Sequence, residues 1–468
     1  MRVSPLMFIV LLVLVACTAE PQAPEGRTDL LLTDYAGDWE GTLNAGGQAL
    51  PLVLHVDPEA SPQVTMDSPA QGANGIPASE VSVEEGALLI AWDVLGARYA
   101  GRLSDDGDAI MGQFSQGPIT LDLLFERGDG VVDEASLAAA TDGPDRPQTP
   151  KPPFPYTVEE LTLTMSDGTE LAGSLILPDA AGPVPLVVLS SGTGAQDRDE
   201  TLFGHKPLAV LADHLGRNGI ASVRFDDRGI GGSSGDYFQT QLPRLADDVL
   251  EIMVALRSRS DFAQVGIIGH SEGGIYAGLA ASRGGEAGPD FIVSLAGPFA
   301  PVEQTIMDQV ERAQDLAGLP ADAKAANIAL QQQIMEAAQS AQTPDKACEA
   351  IRLVTEPSGT YEQARLLCDP IFFSLLRVDI ASAYAGFEGP VLALFGELDR
   401  QVVPARHVPV AEEVLNDHAR TQITIYPGAN HLFQQAETGD LSEYGTIEQT
   451  MDPAVMDLIT AFIAAATE

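Results

Sequence analysis

Basic residues are scarce in this chain. Its 468 residues include 25 Lys and Arg, only four of them Lys, against 67 Asp and Glu, for a net charge of −42. A surface of that sign repels phosphate, so nucleic acid is excluded as the main partner. Cysteine is limited to Cys17, Cys348 and Cys368, so at most one intrachain disulfide can form. No His, Cys, Asp or Glu cluster has metal-ligand spacing and no phosphate loop is present, so neither metal nor cofactor is expected. No internal repeat is evident. The apolar run at residues 5–15 (PLMFIVLLVLV) is too short to span a bilayer as a mature helix. What is abundant is apolar residue, 45% of the chain, which with this length supports two or three domains and a large core.

The N-terminus reads as a targeting segment rather than as fold. Met1-Arg2 gives a positive start, the apolar run follows, and it ends in Leu14-Val15-Ala16-Cys17. That ending resembles the lipobox of bacterial lipoproteins. The resemblance implies removal of residues 1–16, a diacylglycerol on the Cys17 thiol, a tether over 17–33 and membrane attachment through the lipid anchor. Thr18, where inner-membrane retention would use Asp, implies outer-membrane sorting within the cell envelope. Ordinary secretory cleavage near the same place is the alternative. Outside the cytoplasm, Cys348 and Cys368 can pair; otherwise they are two buried thiols.

Residues 34–127 are expected to form an all-β domain, barrel- or sandwich-like. Strand compositions recur at 50–56, 79–83, 87–95, 97–103, 109–114 and 119–125, punctuated by Glu85-Gly86 and Asp105-Asp106-Gly107-Asp108. Tyr35-Ala36-Gly37-Asp38-Trp39-Glu40-Gly41 resembles the Gly-x-Trp opening of lipocalin-like barrels. His55 reads as a structural strand histidine. Residues 128–155 are a linker, crowded towards its end by Pro144, Pro147, Pro150, Pro152, Pro153 and Pro155, a composition that favours a stiff extended spacer.

From 156 to 468 the pattern is α/β. A hairpin at 158–177 precedes short apolar strands at 185–190, 220–225, 265–269, 291–295, 391–395 and 421–426. Helical segments fall at 207–217, 242–257, 274–283, 405–416 and 453–465. Such alternation implies a parallel sheet covered on both faces. Residues of about 300–385, rich in Ala, Gln and Glu and interrupted by Pro320, Pro344 and Pro357, read as a helical cap inserted over the sheet.

The stretch IIGHSEGG, residues 267–274, lies between a strand and a helix. Glycines on either side of a serine let strand and helix approach without Cβ clashes, and the helix N-terminus favours an anion at the same spot. Ser271 is therefore a candidate nucleophile; chance occurrence in a Gly-rich chain is the competing explanation. Two further loops decide between them. Phe395-Gly396-Glu397-Leu398-Asp399 leaves one strand, and Pro427-Gly428-Ala429-Asn430-His431 leaves the last.

With nucleophile, acid and histidine in that order, residues 156–466 resemble the α/β-hydrolase superfamily. More narrowly they resemble secreted bacterial carboxylesterases grouped with serine-aminopeptidase-like hydrolases. Ser191-Gly192-Thr193-Gly194-Ala195-Gln196-Asp197-Arg198-Asp199 and Phe225–Ser233 carry that narrower match; Ala195 stands where the group commonly has Pro. The resemblance implies Ser271 as nucleophile, His431 as base and Asp399 as its orienting acid. It implies an oxyanion hole from the N–H of Glu272 and of Thr193, with Gly194 as alternate, and a small acyl ester as substrate. Glu397 is the rival acid. His270 reads as packing or pocket lining, His205 and Lys206 as pocket-shaping, and His214, His407 and His418 as surface helix residues. Asp226, Asp227 and Arg228 read as pins of a turn.

Two alternatives stand beside an esterase. One is an aminopeptidase of the same fold, whose amine-binding acids would be Glu303, Glu311 and Glu336. The other is a surface binding module in 34–127 with a secondary hydrolase. Dehalogenase and epoxide hydrolase chemistry is disfavoured, because it needs Asp at the position of Ser271. The acidity itself reads either as a solvated surface or as adaptation to a salty medium, where repulsion is screened. Adaptation predicts a melting temperature that rises between low salt and roughly molar salt; an unchanged melting temperature favours the plain solvated surface.

Overall fold

Alternation of apolar and polar residues dictates the first half of the molecule. In β3 (Val64–Ser68) buried and half-buried positions alternate strictly, as a sheet with one face on a core requires. The computed structural model describes residues 23–468 apart from 25, 46–47, 69–72, 93–96, 117–118, 129, 131–145, 317, 359 and 417–419. Cys17 with its targeting segment, His418 and much of the linker therefore lie outside the described residues. The chain divides into two compact units. One comprises 1–145, 309–337 and 349–366; the other comprises 146–308, 338–348 and 367–468.

In the first unit, β1 (Gly37–Ala45), β2 (Gln48–Val56), β3, β4 (Ala73–Pro77), β5 (Glu80–Glu84), β6 (Ala87–Trp92), β7 (Ala97–Leu103), β8 (Ala109–Gln116) and β9 (Ile119–Arg127) form one sheet. Its order is β4-β3-β2-β1-β9-β8-β7-β6-β5. The paired strands are antiparallel, and β1 closes on β9. A single continuous sheet wrapped on one apolar cluster is the barrel-like alternative, not a two-sheet sandwich. Trp39 is core: its indole N–H donates to Tyr35 O at 2.8 Å, and the Arg127 guanidinium lies 4.1 Å from its ring centre. His55 is structural as expected, set between Asp38 at 2.6 Å and Asp67 at 3.3 Å.

The second unit contains an eight-stranded sheet: β10 (Tyr156–Thr164), β11 (Glu170–Pro178), β12 (Val184–Ser190), β13 (Ala221–Phe225), β14 (Phe262–His270), β15 (Ile292–Leu295), β16 (Val391–Gly396) and β17 (Thr421–Tyr426). The order is β10-β11-β13-β12-β14-β15-β16-β17. The β10–β11 hairpin is antiparallel and β11 joins β13 antiparallel. From β13 to β17 every pairing is parallel. β15 and β16 are buried along their whole length, which explains their all-apolar runs.

Helices α1 (Pro207–Arg217), α2 (Leu242–Arg257), α3 (Glu272–Gly284), α7 (Pro404–Leu415) and α8 (Pro453–Thr467) fall where the pattern placed them, and α4 (Val302–Leu316), α5 (Ala321–Ser340) and α6 (Pro344–Thr355) lie in the segment expected to be helical. Residues of α1 and α8 share one apolar cluster with Val187, Leu189, Ile268 and Leu392. α2 and α3 pack on each other. The cap runs from α4 to the short helices Pro370–Leu375 and Ile380–Ala385, between β15 and β16. Pro344 opens α6.

Two expectations acquire structural detail here. Cys348 and Cys368 form a disulfide with Cα atoms 5.3 Å apart and a sequence separation of 20; closing a loop of that size stabilises by about 3 kcal/mol. The end of the linker is not a free spacer. Arg146 donates to the carbonyls of Phe203 at 2.8 Å, Gly445 at 2.7 Å and Ile447, and Gln148 accepts from Thr450 N–H at 2.6 Å. Residues 146–148 thus belong to the second unit. Among the described residues no helix is long and apolar enough to cross a membrane.

Candidate active site

Parallel strands deliver their C-terminal ends to one edge of the sheet, and four loops meet there. β12 lies between β13 and β14, so the chain departs to opposite sides of β12 at this point, the switch point where ligands bind in open α/β sheets. Ser190 at the end of β12 is in register with Gly269 at the end of β14, which sets the 191–199 loop beside Ser271.

The turn after β14 is strained. Ser271 has φ 53° and ψ −117°, a backbone conformation that costs a non-glycine residue on the order of 1–3 kcal/mol. The flanking glycines make it possible. A Cβ on Gly269 would sit 2.1 Å from Gly273 O, and one on Gly273 would sit 2.4 Å from Ser190 O. The Ser271 N–H donates to Leu295 O at 2.9 Å, and α3 starts at the next residue.

Asp399 follows β16 and is fully buried. One carboxylate oxygen accepts from Gln401 and Val402 N–H at 2.8 and 2.9 Å. The other meets His431 Nδ1 at 2.7 Å. That partner assigns the proton to Nδ1 and leaves Nε2 as the basic nitrogen. Asn430 stiffens the His431 loop by accepting from Leu432 and Gln434 N–H, each at 3.0 Å. Ser271 reaches this pair through its neighbour: the His270 ring centre is 4.8 Å from that of His431. Among the described residues no hydrogen bond joins the Ser271 hydroxyl to His431, as is common before a substrate is bound. Glu397, the rival acid, is exposed and accepts from Gly428 N–H at 2.8 Å.

Gly194 and Glu272, two of the residues expected to hold an anion, are linked through Tyr237. The Gly194 N–H already donates to the Tyr237 hydroxyl at 3.1 Å. That hydroxyl donates in turn to the Glu272 carboxylate at 2.7 Å, and the Tyr276 hydroxyl bonds the same oxygen. The Glu272 side chain thus points into the protein while its N–H caps the start of α3. Burial pushes its carboxyl above the ordinary range, as it does Asp227.

Other candidates resolve as structural. His205 is buried between the Thr450 hydroxyl and Tyr444 O, each at 2.9 Å. Lys206 pairs with Asp199 at 3.2 Å. Asp226 holds Arg198 at 2.8 Å and Gly232 N–H at 3.0 Å, and Arg228 grips Asp248 with contacts of 2.6 and 2.7 Å, pinning the turn as expected. Of the cap acids, Glu311 and Glu336 are exposed, and Glu303 accepts from Gln339. Among the described residues no group of three or more His, Cys, Asp or Glu could hold a metal.

The sequence reading missed three things. Glu200 and Tyr237, assigned no role from the sequence, are both buried. His214 is half-buried, not surface. His407 is fully buried on α7, accepting at Nδ1 from Phe299 and Ala300 N–H at 3.0 and 3.1 Å. Those two N–H groups start the chain's exit into the cap, and without His407 they would be buried unpaired.

The sheet order, the serine elbow and the acid and histidine loops in that sequence are those of the α/β-hydrolase fold. The profile of the family described as serine aminopeptidase, S33, matches residues 206–437, a span that contains Ser271, Asp399 and His431. The chain is 28% identical over 283 residues to Esterase EstD of Thermotoga maritima, covering 60% of this chain and 62% of that protein. The match thus spans less than two thirds of EstD. Solved structures similar to it include a Pyrococcus furiosus esterase, Pf2001, at 14% identity and TM-score 0.43, covering 70% of this chain and 98% of that one. Another is proline iminopeptidase of Mycobacterium smegmatis, at 17% identity and TM-score 0.42, covering 66% and 99%.

A nitrogen that accepts two N–H bonds cannot also bind a proton, so folded His407 is neutral, and burial pushes its pKa down to about 4. Unfolded, the imidazole titrates near its ordinary value of about 6.5. Between those values the unfolded chain binds a proton that the folded one refuses. Stability is therefore full above about pH 6.5 and falls, by about 3 kcal/mol from this residue, as pH drops to 4. His407→Asn keeps an acceptor near Nδ1 but does not titrate. Urea denaturation should show a shallower loss between pH 6.5 and 4 in the variant than in the wild type; identical slopes would assign the acid sensitivity elsewhere.

Proposed function

We propose that the chain is a serine hydrolase that cleaves carboxylic esters through an acyl-enzyme. The observation that carries this is the buried Asp399–His431 hydrogen bond set beside a strained serine elbow. In this reading the Ser271 oxygen attacks the ester carbon while His431 Nε2 takes the hydroxyl proton. The tetrahedral oxyanion is held by the N–H of Glu272 and of Thr193. Thr193 is preferred to Gly194, because the Gly194 N–H is already given to Tyr237. The carbon–oxygen bond to the leaving group breaks and His431 returns the proton to the departing alcohol. Water then repeats the sequence on the acyl-serine, releasing the acid and restoring Ser271. Asp399 holds the imidazole orientation and stabilises its cation throughout. The similarity to EstD supports ester over amide substrates. The family match to serine aminopeptidases supports a second reading, peptide hydrolysis from the amino end. The exposure of Glu311 and Glu336 speaks against it, since an amine-binding acid should line the site.

We also propose that Cys17 carries the lipid that attaches the mature chain to the bacterial envelope, with Thr18 directing it to the outer membrane. The Leu-Val-Ala-Cys ending of the apolar run supports this. Intact-mass analysis of the membrane fraction should show a diacylglyceryl-modified N-terminal cysteine, and Cys17→Ala should release the chain in soluble or uncleaved form. An unmodified N-terminus beginning elsewhere would support simple secretion.

For the reaction, a soluble form lacking residues 1–17 should hydrolyse nitrophenyl acetate and butyrate. Ser271→Ala should lose at least about 10³-fold in kcat with its circular dichroism unchanged. Amino-acid arylamides should be cleaved far more slowly; rates rivalling the short esters would reverse the order of the two readings.

A further inference from the structure

His270 precedes the nucleophile, yet the proposed reaction gives it no role. It is buried, and both of its ring nitrogens face acceptors. Nδ1 lies 2.8 Å from Glu200 Oε1, and Nε2 lies 3.0 Å from the backbone carbonyl of His431. A carbonyl can only accept, so a neutral imidazole with one N–H can meet both partners only if Glu200 is protonated and donates to Nδ1; the Gly192 N–H given to the same Oε1 favours the carboxylate. The arrangement calls for an imidazolium facing a carboxylate.

Glu200 is built for that partner. It is 1% exposed and held at φ 55°, a conformation non-glycine residues rarely adopt. The same Oε1 also accepts from Gly192 N–H at 2.7 Å, while Oε2 is buried without a partner. Gly192 is squeezed between the two sites: a Cβ there would lie 3.0 Å from Glu200 Oε1 and 3.2 Å from the Ser271 Cβ. One carboxylate oxygen thus fixes the backbone that leads into Thr193, and the histidine on it fixes the carbonyl of the catalytic base. Burial also pushes the nearby Asp227 and Glu272 carboxyls above the ordinary range. The groups facing His270 are Glu200, Asp399 and His431. The two carboxylates raise its pKa, partly offset by burial.

We propose that Glu200 and a permanently protonated His270 form a positioning couple that ties the oxyanion loop, through Gly192 N–H, to the His431 loop, through its backbone carbonyl. Neither residue touches the reacting atoms. Each acts through another: Glu200 sets the donor geometry of Thr193, and His270 sets the height of His431 over Ser271. Geometry of this kind is worth large rate factors, because a misplacement of about 1 Å costs on the order of 10² in rate. The inference rests on the hydrolase reading for its kinetic consequence but not for the charge state of the couple.

The test uses the mature-length soluble protein and Glu200→Gln, His270→Asn and the double variant. Glutamine removes the charge that holds the imidazolium, so its oxygen can keep Gly192 and Nδ1 only if Nε2 gives up its proton to solvent and its bond to His431. Asparagine can reach Glu200 but not the His431 carbonyl. Each single variant should lower kcat on nitrophenyl butyrate by about 10- to 100-fold with KM changed by less than about 3-fold. The double variant should be no worse than the poorer single one, as expected when two residues act as one unit. Nitrogen-15 imidazole spectra of the wild type should show the resonance lost in His270→Asn as still doubly protonated at neutral pH, above the ordinary imidazole value. In Glu200→Gln it should titrate as an ordinary histidine or become neutral. Unchanged kcat in both variants, or a singly protonated His270 at neutral pH in the wild type, overturns the proposal. If the wild type hydrolyses no ester, the proposed function fails by itself, and the imidazole spectra still decide the couple.

Discussion

Everything in the hydrolase unit depends on the register of the parallel strands. β12 and β14 pair so that Ser190 lies opposite Gly269, and β16 and β17 pair so that Gly396 lies opposite Tyr426. The four loops that follow carry Thr193, Ser271, Asp399 and His431. Slipping one strand by a residue would turn its buried face outward and carry its loop out of reach. In β15 and β16, buried on both faces, a slip would instead misfit side chains against both covering layers, and so the core fixes the positions at which chemistry becomes possible.

On that scaffold the site spends stability locally. Ser271 and Glu200 both hold positive φ angles, and behind the elbow lie two buried carboxyls, Glu200 and Glu272, and the half-buried Asp227. The structure answers each differently. Glu272 receives two tyrosine hydroxyls, Asp227 accepts from Gln196 N–H at 2.8 Å, and Glu200 faces His270. Tyr237 serves both sides, accepting from the oxyanion loop and donating to the residue after the nucleophile. Side chains behind the site therefore couple loops that are far apart in sequence, and they do so through hydrogen bonds sheltered from water, where such bonds are strongest.

How far the sequence foretold this depends on how local each signal was. The elbow was legible because strand, Gly-x-Ser-x-Gly and helix are contiguous. Asp399 and His431 were legible because they sit at strand ends in the order the resemblance implies. The α/β elements were legible from apolar runs whose boundaries the structure moves by a few residues. The strands β1, β3 and β4 were not placed: the start of β1 was read only as a Gly-x-Trp opening, β3 and β4 have five residues each, and β4 carries Gly75 and Pro77, which read as turn. Glu200 was hidden for another reason. It closes the polar run Asp197-Arg198-Asp199, and only folding brings it to a histidine 70 residues on. His407 follows Arg406 on a helix with an outer polar face, and its burial comes from contact with a loop 107 to 108 residues earlier. Pairings at that separation leave no periodic trace.

The most direct measurement of the central claim is covalent labelling. An alkyl fluorophosphonate should react with the folded full-length protein near one equivalent per chain, and peptide mass analysis should place the label on Ser271. Asp399→Asn, which disturbs the tautomer of His431 while leaving the serine in place, should slow that labelling by orders of magnitude. A folded wild type that takes up no label, or one labelled at another residue, would contradict the account.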